Sequence, residues 1–167
     1  ERFADEHDAL WDRMSSHVVC GTVRDASFMN WKYVDQPGQT YRCVDVRDGG
    51  DLIASVTTVV REPDAAYAYR RGLIGDLIAA LDDRRAIGSA IDAAVTTVRD
   101  QGAAILVCNV THPIIEKELL AYGFIRRKPE RHLVVLDQGI DRDAASRVTK
   151  PENWLLSMAD SDIDRPN

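Results

Sequence analysis

This chain lacks the paired cysteines of zinc-binding and disulfide-rich proteins, and it lacks the sequence repeats of repeat proteins. Its 167 residues include three cysteines, an odd number without the paired spacing of a zinc site or a disulfide framework. We therefore expect Cys20, Cys43 and Cys108 to be reduced, buried thiols, and we expect no metal site. No internal repeat and no low-complexity tract is present, which excludes a repeat architecture.

Positive charge is also in deficit. The chain has 21 Lys and Arg against 27 Asp and Glu, a net charge of −6, and its pI is about 5.2. A nucleic-acid surface normally requires a basic stripe, so we expect no nucleic-acid partner. No apolar run approaches the roughly 20 residues of a membrane-spanning helix, and no signal-peptide pattern is found. We expect a cytoplasmic protein without membrane insertion.

The proportions of hydrophobic and charged residues are typical of a globular domain. Hydrophobic residues make up 45% and charged residues 29% of the chain, which suits one domain with a core of its own. We place that domain at residues 1–136. Residues 137–167 form a polar extension in which an apolar segment, 153–158, packs back on the domain. The first residue is Glu1 rather than methionine, which is typical of a processed chain or of a piece of a larger tandem protein.

The first half of the chain predicts a helix followed by strands. Apolar residues recur at helical spacing within residues 1–19. Alternating residues 41–46 and the β-branched run 52–61 flank the turn Asp48-Gly49-Gly50-Asp51, which is typical of a β-hairpin. A further strand is predicted at residues 72–81.

The clearest pattern, at residues 71–124, is strand, helix, strand, helix. Six apolar residues lie on one continuous face of the first helix: Ile87, Ala90, Ile91, Ala94, Val95 and Val98. Gly102 ends that helix, residues 103–110 form a strand, and His112-Pro113 begins a second helix that Gly123 ends. Residues 124–126 and 132–136 are predicted to form a last hairpin.

The turn before the first of these helices contains Arg85-Ala86-Ile87-Gly88-Ser89-Ala90. Such a turn can offer backbone N–H groups and a positive helix end to a phosphate. Together with Gly123-Phe124 and the element order, it resembles the coenzyme A loop of the GNAT superfamily of N-acetyltransferases. The resemblance implies an α/β, single-domain GNAT-like fold with a mixed, mostly antiparallel twisted sheet, helices on both faces, and acetyl-CoA as cofactor. The residues implied to contact the cofactor are Leu77, Ile78, Arg84, Arg85, Ala86, Ile87, Gly88, Ser89, Ala90 and Asn109.

Two departures from the family pattern leave an alternative open. Asp82 and Asp83 directly precede the helix, where a carboxylate can cap it and repel a pyrophosphate. The turn is therefore either a cofactor loop or an ordinary capped helix start. Family members often carry a tyrosine as general acid at the position of Leu119, and Tyr122 is only a weak substitute for it.

The resemblance also implies a general base. Asp76 lies within the fourth strand, where several family enzymes keep a carboxylate that deprotonates the amine, and its apolar neighbours would raise its pKa. The alternative is an ion pair with Arg70 or Arg71, or a bond from a backbone N–H. Trp31 and Tyr33 are candidates for a substrate-binding wall, with core packing as their alternative.

The segments Asn30-Trp31-Lys32-Tyr33 and 154–164 resemble a bacterial GNAT-like subgroup linked to surface-polysaccharide biosynthesis. The first functional hypothesis is therefore an acyl-CoA-dependent N-acyltransferase that modifies an amine of a small molecule or an amino sugar. The second is a non-catalytic GNAT-like module for ligand binding or protein interaction. A homodimer or a partner domain is compatible with both hypotheses.

Overall fold

The computed structural model describes residues 2–38, 40–128, 139 and 141–161. Within these ranges, none of the helices has the length and apolar character that crossing a bilayer requires. The predicted strand at residues 132–136 lies outside the described residues, and residues 124–126 contain no strand.

A four-stranded sheet forms the centre of the molecule. Its strands are β2 (Arg42–Asp48), β3 (Asp51–Arg61), β4 (Arg71–Ala79) and β5 (Ile105–Cys108), in that spatial order. β2, β3 and β4 are antiparallel neighbours, and β5 is parallel to β4. Gly49 and Gly50 have positive φ in the β2–β3 turn, as the hairpin prediction requires. The predicted α/β fold with a mostly antiparallel sheet is confirmed.

β4 and β5 pair over only four residues and then separate. The register runs from Arg71 opposite Ile105 to Ile74 opposite Cys108, while β4 continues to Ala79. A bulge shifts the β3–β4 register between Thr57 and Thr58. Because bulges bend a strand and change where its side chains point, this one alters the direction of β4 where β5 ends. A gap therefore opens beside the second half of β4.

Helix α3 (Arg84–Asp100) packs across β2, β3 and β4. Its predicted apolar face is correct, since Ile87, Ala90, Ile91, Ala94 and Val98 are buried. The close approach needs a glycine in β4, because a Cβ on Gly72 would lie 2.7 Å from the Cβ of Val98.

Helices α1 (Asp5–Ser15) and α2 (Ala26–Met29) precede the sheet, and α2 continues as a π-helical turn at Asn30–Val34. Helix α1 buries His7, Leu10, Trp11 and Met14 against β3 and β4. After β5, helix α4 (Pro113–Tyr122) ends at Gly123, whose φ of 113° is left-handed. That conformation explains why glycine stands there.

The C-terminal residues return to the sheet. Helix α5 (Arg142–Val148) contains no buried residue. A 3₁₀ turn at Pro151–Asn153 leads into β6 (Trp154–Leu155), which pairs in parallel with β1 (Cys20–Gly21), and a second 3₁₀ turn follows at Met158–Asp160. Leu155 and Met158 are buried. The division of the chain at residue 136 into a domain and an extension stays a prediction.

Candidate functional site at the gap between β4 and β5

A buried ion pair lies beside the gap. The Nε of Arg24 donates to both carboxylate oxygens of Asp76, at 3.1 and 2.8 Å, and the backbone N–H of Leu77 donates to Asp76 Oδ1 at 3.2 Å. The side chain of Arg24 is 0% and that of Asp76 2% exposed. Arg70 and Arg71, the partners considered from sequence, pair instead with Glu62 and Asp64.

The guanidinium of Arg24 also binds the C-terminal residues. Its Nη2 donates to Asp160 and, at 3.3 Å, to Ser157 Oγ, while Nη1 donates to the carbonyl of Thr22 at 2.6 Å. Asp160 Oδ2 further accepts from the backbone N–H of Ser157 at 2.8 Å. Asp160 Oδ1 is buried without a hydrogen-bond partner among the described residues. One guanidinium thus serves two carboxylates.

The two carboxylates influence titration in this cluster. Burial is the largest influence on the pKa of Asp76 and raises it, and the charge of Asp160 adds to this while Arg24 opposes it. Burial, with a smaller contribution from Asp76, raises the pKa of the neighbouring Cys108 thiol to about 12. A thiol with such a pKa is a poor nucleophile at neutral pH, so Cys108 is a structural residue.

Residues 154–161, called the closing segment below, fill the gap. The backbone N–H of Thr111, which follows β5, donates to the carbonyl of Leu156 at 3.1 Å, and Thr111 Oγ1 accepts from the backbone N–H of Leu156 at 2.9 Å. What remains is a cavity of about 10 Å³, the lower limit for one water molecule. The residues that line it are Ile74, Asp76, Leu77, Cys108, Asn109, Val110, Ile115, Leu155 and Ser157.

The predicted phosphate-binding turn is helical in the structure. Helix α3 begins at Arg84, and its N-cap residue Asp83 accepts from the backbone N–H of Ala86 at 3.0 Å. Ala86, Ile87 and Ala90 are fully buried, so their side chains cannot contact a ligand. The capped helix start, the alternative left open by the sequence, is the observed arrangement because Asp83 is placed to satisfy an N–H of the first turn.

Both arginines of that turn are bound to carboxylates. Arg84 Nε donates to Glu118 at 2.7 Å, and this bond raises the pKa of Arg84. Arg85 Nη1 donates to Asp48 at 2.9 Å. A phosphate at the start of α3 would have to compete with these carboxylates as well as with Asp83.

A second, larger cavity lies on the α3 side of the hairpin. It is an open groove of about 910 Å³. Tyr122, the weak candidate for a general acid, lies here, and its hydroxyl donates to Asp92 at 2.7 Å, which raises the pKa of the tyrosine. The predicted residues Arg85, Gly88 and Ser89 line the same groove, whereas Asp76, Leu77 and Asn109 line the small cavity. The structure therefore divides the predicted site between two places.

The two aromatic candidates are also separated. Trp31 is 52% exposed and leans against Phe28 at 5.8 Å between ring centroids. Tyr33 is 5% exposed and packs edge-on against Tyr41 at 4.9 Å. They do not form one wall in this structure. Tyr33 contributes to the core, as does Ile78, which is 1% exposed.

Glu6, His7 and Asp45 have potential metal-ligand atoms within 4.8 Å of one another. His7 Nδ1 accepts from the backbone N–H of Ala4 at 3.1 Å, and Nε2 faces Asp45 at 3.2 Å. Because Nδ1 is an acceptor, the proton of a neutral His7 is on Nε2. Glu6 is paired with Arg47. Helix capping and ion pairs thus account for this cluster without an ion.

Sequence reasoning missed Arg24, Ser157 and Asp160. Asp160 belongs to the predicted polar extension, yet its side chain is only 10% exposed. A usable signal was present, since Ser157 and Asp160 form a capping box around the last 3₁₀ turn, next to buried Met158. Arg24 stands alone before the N-cap Asp25 and gives no comparable signal.

The fold is similar to that of several solved proteins, with acetyltransferases among them. TTHA1254 from Thermus thermophilus superimposes with a TM-score of 0.52 at 14% identity, over 83% of this chain and 98% of that one. A ribosomal-protein-alanine N-acetyltransferase from Brucella melitensis biovar Abortus gives a TM-score of 0.52 at 17% identity, over 80% and 92%. A probable acetyltransferase gives 0.51 at 11% identity, over 83% and 96%.

Comparisons of sequence give a different result. No protein-family profile matches the chain, and no curated protein matches it. At these identities the structural similarity shows the fold alone. Function has to be argued from the site.

Proposed function

We propose that this chain is an acyl-CoA-dependent N-acyltransferase, with acetyl-CoA as donor and an amine of a small molecule or amino sugar as acceptor. The observation that carries the proposal is the separation of β4 from β5 after Ile74 and Cys108. This separation brings a carboxylate, Asp76, and an amide, Asn109, to the wall of one cavity. The similarity of the fold to acetyltransferases supports the proposal.

Asp76 is the group proposed to receive the proton of the amine. A carboxylate has about four lone-pair positions. The bonds from Arg24 and from the Leu77 N–H occupy three of them, and a hydrogen bond with Ser157 takes the fourth. An amine can therefore reach Asp76 only when Ser157 has moved away. Burial raises the pKa of Asp76, which makes the carboxylate a stronger base than an exposed one. Asn109 is proposed to orient the acceptor through its amide.

Acetyl-CoA does not fit the conformation described here. A cavity of about 10 Å³ cannot hold an acyl chain, and Asp83 caps the helix end that would receive a phosphate. The proposed chemistry requires the gap to become larger.

The same observations favour a second candidate, a non-catalytic module with the acetyltransferase fold. A filled gap, a capped α3 and the buried Leu119 in place of a tyrosine are what such a module would show. It would bind a protein partner or another ligand through its surface. The assignment to a polysaccharide-linked subgroup stays a prediction in either case.

The test is thermal unfolding during titration with acetyl-CoA and with free CoA. Ligand at 100 times its dissociation constant should stabilise the fold by about 2.7 kcal/mol. Gly88→Glu places a carboxylate near the start of α3 and should abolish the shift, whereas the uncharged Gly88→Gln should retain part of it. Both side chains are sterically tolerated, because a Cβ at Gly88 meets nothing within 4 Å.

The two candidates predict different results in this titration. A saturable shift that is sensitive to Gly88→Glu supports the acyltransferase and justifies a screen of amines for CoA release. No shift at millimolar ligand, for the wild type and for the opened variant Asp160→Asn described below, would contradict it. The non-catalytic module would then be the better proposal.

A further inference from the structure

We infer that the closing segment, residues 154–161, is a removable closure of the β4–β5 gap, held by the Asp160–Arg24 ion pair, and that acyl-CoA enters only when it moves away. The inference rests on the proposed acyltransferase function for the identity of the ligand. The closure itself rests on contacts in the structure alone.

The closing segment occupies space between β4 and β5 that a ligand would need. Leu155 and Ser157 line the cavity opposite Asp76, Leu77 and Asn109. Leu155 is 1% exposed, so its side chain fills the gap rather than lying over its mouth. Acyl-CoA and Leu155 cannot occupy this position together.

The segment is attached by polar bonds and by apolar contacts. The polar bonds comprise the bonds of Asp160 and Ser157 to Arg24, the bonds of Leu156 to Thr111, and a two-residue pairing with β1. Leu155 and Met158 add apolar contacts that favour the closed state. Asp160 is incompletely satisfied, because its buried Oδ1 lacks a hydrogen-bond partner among the described residues. An unsatisfied buried oxygen weakens the closed arrangement.

The preceding residues do not hold the segment in place. Helix α5 has no buried residue, and it contacts the adjoining 3₁₀ turn Pro151–Asn153. The indole Nε1 of Trp154 donates to the carbonyl of Val148 at 2.8 Å, which joins α5 to the segment. Helix α5 and the closing segment can therefore move together, and this movement breaks the pairing of β6 with β1 and exposes Leu155 and Met158.

The opened state keeps its charges balanced. When Asp160 leaves, Arg24 retains Asp76 at 2.8 Å and the carbonyl of Thr22 at 2.6 Å. The cluster then has one guanidinium and one carboxylate, instead of one guanidinium and two carboxylates. Breaking a buried ion pair is usually costly because it leaves a buried charge without a partner. Release of the closing segment avoids this cost, because Arg24 and Asp76 still pair with each other.

Two variants with opposite effects test the closure. Asp160→Asn removes the negative charge that pairs with Arg24 while it keeps the size of the side chain. This substitution should favour release of the closing segment from the gap. Trp154→Cys should favour closure under oxidation, because Trp154 pairs in register with Cys20. Adjacent strands bring paired residues about 5 Å apart, within the range that a disulfide spans. Trp154→Ser is the matched control without a thiol.

The first measurement is the labelling rate of Cys108 by a thiol reagent, located by peptide mass mapping. Cys108 lies in the gap beneath the segment. We expect labelling at least tenfold faster in Asp160→Asn than in the wild type. Oxidised Trp154→Cys should react at least tenfold more slowly than Trp154→Ser, and reduction should restore the rate. Hydrogen exchange at Ile91, in the middle of α3, reports global unfolding and should be much slower than the labelling of Cys108 in Asp160→Asn.

The second measurement is the binding of CoA to the same variants. Affinity that rises in Asp160→Asn and is lost reversibly in oxidised Trp154→Cys supports the inference. A second outcome is that the labelling rate of Cys108 changes as expected but no variant binds CoA. That result supports the closure and overturns both the acyl-CoA assignment and the proposed function. Labelling at the same rate in every variant, or CoA binding by the locked form, overturns the closure.

Discussion

Charged residues are buried beside the gap between β4 and β5 but exposed along the groove over α3. In the gap, Arg24 is fully buried and shared by two carboxylates from distant parts of the chain. Along the groove, Arg85 is 74% exposed and pairs with Asp48, which is itself 52% exposed. Water can replace the partner of a surface charge but not that of a buried one. The two regions should therefore respond very differently to the same kind of substitution.

The largest difference is expected when an arginine is removed from each region. Arg24→Met leaves the carboxylates of Asp76 and Asp160 buried without their cation and should lower the free energy of unfolding by about 3–5 kcal/mol. Arg85→Met should lower it by less than about 1 kcal/mol. Urea unfolding measures both changes. Similar losses in the two variants would show that the buried cluster is hydrated and would remove the contrast.

The next effect concerns the apolar contacts of the closing segment. Leu155 is 1% exposed, and Leu155→Ala should cost about 2–5 kcal/mol if the segment is closed in the folded state. Leu120 is 43% exposed on α4, and Leu120→Ala should change stability by no more than about 0.5 kcal/mol. Equal, small effects in thermal or urea unfolding would indicate that the segment is mostly open in solution.

Smaller effects on stability are expected from alanine substitutions at two glycines, one tightly packed and one open. A Cβ at Gly72 would lie 2.7 Å from the Cβ of Val98, so Gly72→Ala should destabilise the protein by about 1–3 kcal/mol through overpacking. Gly88 is helical and open, and Gly88→Ala should stabilise it by about 0.5–1 kcal/mol. Opposite signs in the change of melting temperature are expected. A stabilising Gly72→Ala would mean that α3 can move away from β4.

The smallest effect is a pH dependence next to the gap. Burial lowers the pKa of His112 from its ordinary value of 6.5, and a hydrogen bond with the backbone of His17 opposes this shift. Below pH 6.5 the unfolded chain takes up a proton that folded His112 resists. The free energy of unfolding should therefore fall as the pH decreases from 6.5 toward the lower folded pKa. Unfolding between pH 7.5 and 5.5 should show a shallower slope for His112→Gln, and equal slopes would contradict the prediction.

The parts of the fold that could be predicted depend on local patterns. The β2–β3 hairpin follows from a glycine turn between alternating residues, and α3 follows from a 3.6-residue apolar period that ends at Gly102. The prediction of a last hairpin was wrong for its first strand, since residues 124–126 contain no strand. Its apolar alternation is short, and a pattern of three residues is too short to specify a strand.

The candidate site could be predicted only where neighbours in sequence are neighbours in space. Leu77 lines the small cavity with Asp76 because both lie on the same stretch of β4. The cofactor loop stays a prediction, because Asp83 caps the helix that begins at Arg84 in this conformation and no local pattern distinguishes a cap from a phosphate-binding turn. Tyr122 and Asp76, both acid–base candidates in the sequence, line separate cavities.

The sequence by itself determined the order of the elements from β2 to α4, the β2–β3 hairpin and the apolar face of α3, because each depends on the spacing of residues within about twenty positions. Only the tertiary structure decided what lies in the gap. Arg24 and Asp160 are 136 positions apart, and no local pattern indicates that one carboxylate among many will meet one buried guanidinium. That pairing forms because burying a charge is unfavourable unless the folded chain supplies its counter-charge at the same place.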